Sequence, residues 1–166
     1  MNQIMDDESR AFIADLEQRR GGSITYRTFS TFYADSLGKV CDYGVFLYVV
    51  DNTFWFQDFE HVPSFLGFRL PVKNAEEYRM FESSFKASDV MAIRKVKKKA
   101  ARKCALGYMD LSKLRKFNPV LGILSESATE LRLKDGRVLF FQLMDRTVEN
   151  MIITTIASFN ALTLEL

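Results

Sequence analysis

The residues of this chain that are best suited to bind a ligand lie in one basic segment, residues 93–103, which reads IRKVKKKAARK. Between residues 94 and 103 the chain has no acidic residue, and the basic ones are Arg94, Lys95, Lys97, Lys98, Lys99, Arg102 and Lys103. The net charge of the whole chain is only +2, so the remainder is acidic on balance. A concentrated cationic patch of this kind attracts anionic partners, and near an anionic bilayer each basic residue contributes about 1 kcal/mol.

The same basic residues also suit a solvated edge of an ordinary fold, where charge discourages pairing with other chains. Lys113, Arg115 and Lys116 continue the basic character further along the chain. Nucleic acid is disfavoured as a partner because the chain is not strongly basic overall and no aromatic residues interleave with the lysines to stack on bases.

A second candidate surface is apolar and lies between two prolines in the segment PSFLGFRLP, residues 63–71. Its candidate partner-binding residues are Phe65, Leu66, Phe68 and Leu70. Such side chains insert into a membrane interface or a partner's groove, or they pack under the fold as a satellite hydrophobic cluster. The sequence leaves both alternatives open.

Acid–base catalysis would have to use Asp58, Glu60 and His61, which place two carboxylates beside the only histidine. Three polar residues at the end of a hairpin are common, however, and no phosphate-binding or nucleophile motif accompanies them. Cys41 and Cys104 lack CxxC spacing, so cysteine and histidine cannot supply an ordinary zinc site. The sequence therefore predicts a protein that is not an enzyme and holds no metal or cofactor.

The first 38 residues are predicted to contain two helices. Acidic residues start the first 20 residues, and Arg19 and Arg20 end them before Gly21-Gly22, as the helix dipole favours. Apolar residues at helical spacing predict a second helix from Thr28 to Leu37. We therefore expect an N-terminal helical extension over residues 1–38.

A β-rich region follows. The runs Val45–Val50 and Thr53–Phe59 meet at Asp51-Asn52, two residues that tolerate positive φ, which predicts a tight hairpin. Both runs carry apolar residues on both faces. Such a hairpin is covered on each side, or its outer aromatic side chains meet a partner. A short strand is predicted around Phe68–Leu70.

The segment FKASDVMAIRKV, residues 85–96, fits two structures. Its composition permits a strand, whereas Val90, Ile93, Val96, Ala100 and Cys104 recur at helical spacing. From the residues alone, strand and helix both stay open.

The end of the chain is more regular. Three strands are predicted between residues 120 and 145, the last two joined by Asp135-Gly136. Asp145 then caps a helix whose apolar face contains Val148, Ile152, Ile156 and Phe159. Consecutive hairpins with apolar faces predict an α+β, mostly β fold: a closed or nearly closed antiparallel barrel with the last helix at one open end.

Three segments resemble pleckstrin-homology-like domains, in particular a divergent, bacterial-type GRAM domain. GVFLYVVDNTFWFQDF (44–59) is similar to a family hairpin, FKASDVMAIRKV (85–96) to a later strand, and TELRLKDGRVLFFQLMDR (129–146) to the last hairpin before a C-terminal helix. They occur in the family's order. The resemblance covers roughly residues 40–162 and implies a pleckstrin-homology-like domain over 39–166.

The resemblance implies a barrel of about seven strands capped by one helix, with residues 85–96 as a strand and 97–103 in the loop after it. It also implies binding of phosphoinositides, peptides or proteins rather than catalysis. The family's lipid-binding pattern K-x-(K/R)-x-R is missing, because the corresponding GKVCDYGVF offers only Lys39.

We therefore expect a non-enzymatic module that binds a protein or peptide, with peripheral binding to anionic membrane lipids through residues 94–103 as the alternative. The chain begins without a signal-peptide pattern and contains no long apolar run, which predicts a cytoplasmic protein, in the alternative one at the inner membrane surface. The oligomeric state does not follow from the sequence.

Overall fold

The computed structural model describes residues 7–59, 64–65, 68–69, 80–118, 126–143 and 145–164. The helices are α1 (Asp7–Arg20), α2 (Lys98–Ala105) and α3 (Arg146–Leu164). The strands are β1 (Tyr26–Asp35), β2 (Val40–Val50), β3 (Thr53–Asp58), β4 (Ser64–Phe65), β5 (Phe68–Arg69), β6 (Glu82–Lys86), β7 (Val90–Lys97), β8 (Ser127–Leu133) and β9 (Val138–Gln142). Single 3-10 turns span Ala87–Asp89 and Leu111–Lys113.

Seven strands form one antiparallel sheet in the order β6-β3-β2-β1-β9-β8-β7, and β4 and β5 form a separate two-stranded hairpin. The mostly β prediction is confirmed. Closure of the barrel is not observed: among the described residues, the edge strands β6 and β7 do not pair with each other. The chain passes between them through the turn at Ala87–Asp89, and α3 packs at this corner, against the turn and β7.

The two predicted hairpins are confirmed. Asp51 and Asn52 join β2 to β3 with φ values of 47° and 60°, the left-handed backbone of a two-residue turn. Gly136, with φ 87°, lies in the turn between β8 and β9. The C-terminal helix is also confirmed, and Asp145 Oδ1 accepts a hydrogen bond from the Thr147 amide at 2.8 Å.

The second N-terminal helix, predicted over Thr28–Leu37, is wrong. This segment is β1, which lies between β2 and β9 inside the sheet, so only α1 is helical in the region expected to be a helical extension, 1–38. The more buried positions of β1 begin as an alternating series through Tyr26, Thr28 and Ser30. Its aromatic and β-branched residues fit a pleated surface, and this preference outweighs the helical spacing of the larger side chains.

The strand preferred for residues 85–96 is confirmed, although the turn at Ala87–Asp89 divides it between β6 and β7. The loop expected over 97–103 is wrong, because α2 begins at Lys98. Its buried face is formed by Ala101, Cys104 and Ala105, so the small residues among the lysines form the contact surface of a helix.

Two predictions fall partly on residues outside the described ranges. Of the three strands expected after residue 120, the last two are β8 and β9, and the first lies outside the described residues. The short strand expected around Phe68–Leu70 corresponds to β5, which pairs with β4.

The interior core takes side chains from all seven strands of the sheet and from α3. Its members include Phe32, Leu47, Phe56, Phe85, Val90, Leu131, Phe141, Val148 and Ile152. Because one cluster contains residues of both edge strands, the open sheet must be curled around a shared interior.

The outer face of the sheet is covered at two places. On one, Leu16 of α1 packs with Phe46, Tyr48 and Val50 of β2. On the other, α2 packs in a cluster that contains Tyr33, Val96, Ala101, Cys104, Leu114, Ala128 and Phe140. The expectation that the β2–β3 hairpin is covered on each side is thus confirmed. A groove lies beside each of these helices.

Candidate functional site

The basic groove lies where the start of α2 meets β1 and β2 and has a volume of about 520 Å³. It is lined by Tyr33, Asp42, Lys97, Lys98, Lys99, Arg102 and Glu126. Four of the seven basic residues singled out in the sequence therefore share one concavity, together with two carboxylates and a phenol.

An irregularity in the β1–β2 pairing shapes one wall of the basic groove. Phe32 pairs with Tyr43 and Ala34 with Val40, so Tyr33 and Asp42 fall in the shifted region. The β1–β9 register shifts at the same place, and Asp42 adopts a left-handed φ of 56°. Bulges of this kind redirect side chains, and here both side chains reach the groove beside α2.

Lys98, the first residue of α2, faces the wall formed by β1 and β2. Its Nζ lies 3.0 Å from Asp42 Oδ1, 3.3 Å from Glu126 Oε2 and 4.8 Å from the centre of the Tyr33 ring. Burial by itself would lower the pKa of Lys98, but the hydrogen bonds and charges of the two carboxylates raise it overall. With 16% of its side chain exposed, Lys98 offsets one of the two negative charges and holds α2 to β2.

The other three cations are differently placed. In the described part of the chain, Lys97, Lys99 and Arg102 have no acidic ion-pair partner. Burial raises the pKa of the Tyr33 phenol, which therefore stays protonated at neutral pH. The groove thus has positive charge that its own carboxylates do not neutralise.

The start of α2 adds to this positive potential. The first turn contains no acidic residue, and the cap position is Lys97, whose side chain makes no capping hydrogen bond. Lysines at the amino end of a helix oppose the helix dipole, and the first four amides have no acceptor within the helix. One of these amides, that of Lys98, donates to the Glu126 carbonyl.

Arg94 lies outside the basic groove and has a structural role. It forms an ion pair with Glu130, a carboxylate that is 0% exposed, and donates to the Leu114 carbonyl at 3.0 Å. Arg132 approaches the same carboxylate from its own strand and donates to the Leu111 carbonyl. The buried Glu130 therefore holds the segment after α2 against β7 and β8.

Lys95 and Lys103 are also outside the groove lining. Lys95 donates to Thr129 Oγ1 at 2.7 Å and forms an ion pair with Glu149, so it joins β7 to α3. Lys103 is exposed on α2. The seven candidate residues thus do not converge on one face.

Lys113, Arg115 and Lys116 run beside β7 rather than into the basic groove. Lys116 forms an isolated bridge with Val96, and the amide of the next residue, Phe117, donates to the Lys95 carbonyl. All three basic side chains are exposed.

The aromatic groove lies between α1 and the sheet and has a volume of about 460 Å³. It is lined by Glu8, Ser9, Phe12, Ile13, Arg27, Phe29, Phe46 and Phe59. Phe29 is 63% exposed, although its ring centre lies 5.5 Å from that of Phe46 and 5.8 Å from that of Phe59. The sequence reasoning missed this surface because it assigned Phe29 to a helix.

The position of α1 explains why the aromatic groove is open. Leu16 is its buried residue, and near its end Arg20 stacks 3.8 Å from the Trp55 ring, donates to the Tyr48 hydroxyl and pairs with Glu82. These contacts hold the carboxyl-terminal half of the helix against the sheet. The groove forms at its other half, beside Phe12.

The remaining predicted residues give less information. Phe65 and Phe68 pair across the β4–β5 hairpin, whereas the predicted Leu66 and Leu70 lie outside the described residues. Lys39, from the position of the missing lipid motif, lies with its Nζ 3.3 Å from the Phe81 ring centre.

Asp58 of the acid–base candidates is buried, and its Oδ1 accepts a hydrogen bond from the Phe81 amide. Glu60 and His61 are not among the described residues. Among those that are, no three His, Cys, Asp or Glu side chains are grouped so as to hold a metal ion. Within the same residues, no helix is long and apolar enough to span a membrane.

Comparison of the chain with protein-family models, with curated proteins and with solved structures gave no match.

Proposed function

We propose that the chain is a non-enzymatic, pleckstrin-homology-like module that binds a protein or peptide. Seven antiparallel strands followed by a C-terminal helix support this assignment, since they are the elements that the sequence resemblance implies. In this proposal the module includes β1, because β1 pairs with both β2 and β9. The proposed location is the cytoplasm.

The observation that carries the proposal is the exposure of Phe29 within the aromatic groove. A large aromatic side chain that touches two other rings but stays mostly in water adds little to folding and much to binding when a partner covers it. Phe12, Ile13 and Phe46 complete an apolar floor, and Glu8 and Arg27 supply charge of both signs around it. This suits a peptide with one or two apolar anchors beside charged residues.

A phage-displayed random peptide library, selected on the full chain, tests this proposal. We expect the selected peptides to share apolar anchors and to bind the Phe29→Ser variant at least tenfold more weakly, because a central aromatic contact carries about 2 kcal/mol or more. Leu37→Ser is the matched control, since Leu37 is 75% exposed and lies outside the groove lining. Selection that returns no binding peptide, or peptides that bind both variants equally well, would refute the proposal.

Peripheral binding to anionic membranes is the second candidate function, and it places the protein at the inner membrane surface. It is favoured by the exposed cations Lys97, Lys99, Arg102 and Lys103, which lie within seven consecutive residues, 97–103, at the start of α2. In sedimentation with phosphatidylserine-containing vesicles, we expect binding that weakens as salt rises and is lost in the double variant Lys97→Glu, Lys99→Glu. Binding that salt and the double variant leave unchanged would exclude this candidate.

A further inference from the structure

We propose that the basic groove is a site for a phosphate monoester, carried either by a lipid headgroup or by a small soluble molecule. The lipid form of this proposal rests on the second proposed function, membrane binding, whereas the soluble form is independent of it. The ligand would be bound by the three cations Lys97, Lys99 and Arg102 of the groove, not by general attraction to all seven basic residues of segment 94–103.

The arrangement of charge in the groove is the first support. Lys98 forms ion pairs with both Asp42 and Glu126, and the four cations and two carboxylates of the lining leave the groove a net charge of +2. Lys97, Lys99 and Arg102 remain as cations without an acidic partner among the described residues, all lining the same concavity. Cations that line one groove repel each other, and a bound anion with several acceptor oxygens reduces that repulsion.

The rigidity of the groove is the second support. Tyr33 is buried, and the bulge in β1 and β2 fixes the wall that Tyr33 and Asp42 form; Lys98 of α2 is nearly buried against it. The Lys98 ammonium lies 3.0 Å from Asp42 Oδ1 and 3.3 Å from Glu126 Oε2, and these two ion pairs hold the start of α2, which carries the other cations, in place. A site whose donors are held before binding loses less conformational entropy when the ligand arrives.

The chemistry of the phosphate monoester matches this donor set. A monoester carries a charge of about −1.5 to −2 at neutral pH and three acceptor oxygens, whereas a phosphodiester carries a single charge. One guanidinium and two ammonium groups can each donate to a different oxygen. The groove volume of about 520 Å³ is within the range of small-molecule sites.

The test compares monoester with diester ligands in soluble and membrane form, using the full chain. The soluble probes are glycerol 3-phosphate and the singly charged diester glycerophosphoglycerol, measured by calorimetry. The membrane probes are phosphatidylcholine vesicles that contain phosphatidic acid, or phosphatidylserine at equal surface charge. We expect tighter binding of the monoester in the soluble comparison and, if the source is a lipid, in the vesicle comparison as well.

Matched substitutions on α2 separate a defined site from general electrostatic attraction. Lys99→Gln and Arg102→Gln remove cations from the groove lining, while Lys103→Gln removes an exposed cation of the same helix outside it. We expect the first two to weaken monoester binding about tenfold each and the third by less than about twofold. Circular dichroism of each variant checks that the fold is intact.

The outcomes distinguish the two proposals. Binding of glycerol 3-phosphate without binding of either phosphatidic acid or phosphatidylserine vesicles supports the groove with a soluble ligand and excludes membrane attachment. Vesicle binding that does not distinguish phosphatidic acid from phosphatidylserine, and that Lys103→Gln weakens as much as Lys99→Gln, supports general attraction and overturns the groove. Absence of binding to every monoester probe also overturns it.

Discussion

The aromatic groove and the basic groove arise in the same way and differ in what they can bind. Each forms where a helix packs on the outer face of one curled sheet, α1 over β2 in the first case and α2 in the second. In the aromatic groove the strands contribute Phe29 and Phe46 together with Arg27, and Phe29 is the most exposed phenylalanine of the lining. In the basic groove the strands contribute the phenol of Tyr33 and the carboxylate of Asp42, and α2 contributes cations.

The side chains that each groove exposes depend on which residues pack its helix against the sheet. Leu16 and Arg20 attach α1 through its middle and its end, so its first turns leave aromatic surface uncovered. The small residues Ala101 and Cys104 attach α2 closely, so its long basic side chains are the ones that extend beyond the contact.

Loss of the buried carboxylate on the basic side should destabilise the protein most. In Glu130→Gln, Arg94 and Arg132 lose their shared ionic partner in a site where the carboxylate is fully buried. We expect the free energy of unfolding to fall by about 4 kcal/mol, measured by chemical denaturation, because a partly buried charge without its partner is costly. Asp135→Asn is the control: it weakens an exposed pair with Arg137 and should cost less than about 1 kcal/mol. Equal effects of the two variants would mean that Glu130 is not a structural centre.

Truncation of the main apolar contact of α1 should have the next largest effect. Leu16→Ala leaves a cavity against Phe46, Tyr48 and Val50 and should cost about 3 kcal/mol. Hydrogen exchange should show faster opening in α1 than in β8 and β9. Asp15→Ala, on the exposed side of the same helix, should change stability by about 0.5 kcal/mol or less. If Leu16→Ala had as small an effect, α1 would not be held by this contact.

Phe29 should matter for binding and little for folding. Phe29→Ala removes ring contacts at a site that is mostly in water, so we expect a loss of about 1 kcal/mol or less. Phe46→Ala, at a buried position of the same groove, should cost about 3 kcal/mol. Thermal denaturation of both variants measures the difference. Comparable losses would show that Phe29 is a core residue rather than part of a binding surface.

The smallest expected effect is the pH dependence that Lys98 contributes on the basic side. Its folded-state pKa is raised above the ordinary value of 10.5, so the folded state favours the charged ammonium. This stabilisation is present in full below pH 10.5 and is lost as the pH rises through the raised value. Unfolding of the wild type and of Lys98→Met from neutral to alkaline pH should therefore show a difference, below about 1 kcal/mol, that shrinks at high pH. A difference that is constant with pH would exclude this contribution.

The turns of this fold can be predicted from the sequence, because their backbone conformation favours particular residue types. Asp51-Asn52 and Asp135-Gly136 specify their hairpins because their residues tolerate a left-handed backbone. Thr28–Leu37 was not predictable in the same way. Its apolar residues fit a helix as well as a strand, and the neighbouring strands β2 and β9 decide between them.

The candidate site was predictable in composition but not in geometry. The density of lysines identified the segment that contains α2, yet Arg94 and Lys95 belong to ion pairs with Glu130 and Glu149, which are 36 and 54 residues away in the chain. Tyr33 enters the groove through a bulge. Tertiary pairing of this kind leaves no local signal. The exposure of Phe29 is likewise determined by the sheet, because the aromatic residues of β1 do not alternate with polar ones along the strand.

Amide NMR spectra recorded during titration of the full chain with glycerol 3-phosphate test most directly whether the two grooves are separate sites of different chemistry. We expect saturable shifts at Tyr33, Asp42, Lys99 and Arg102 and unchanged signals at Phe29. Shifts that include the aromatic groove equally, or that spread over exposed lysines such as Lys113 without saturation, would contradict it.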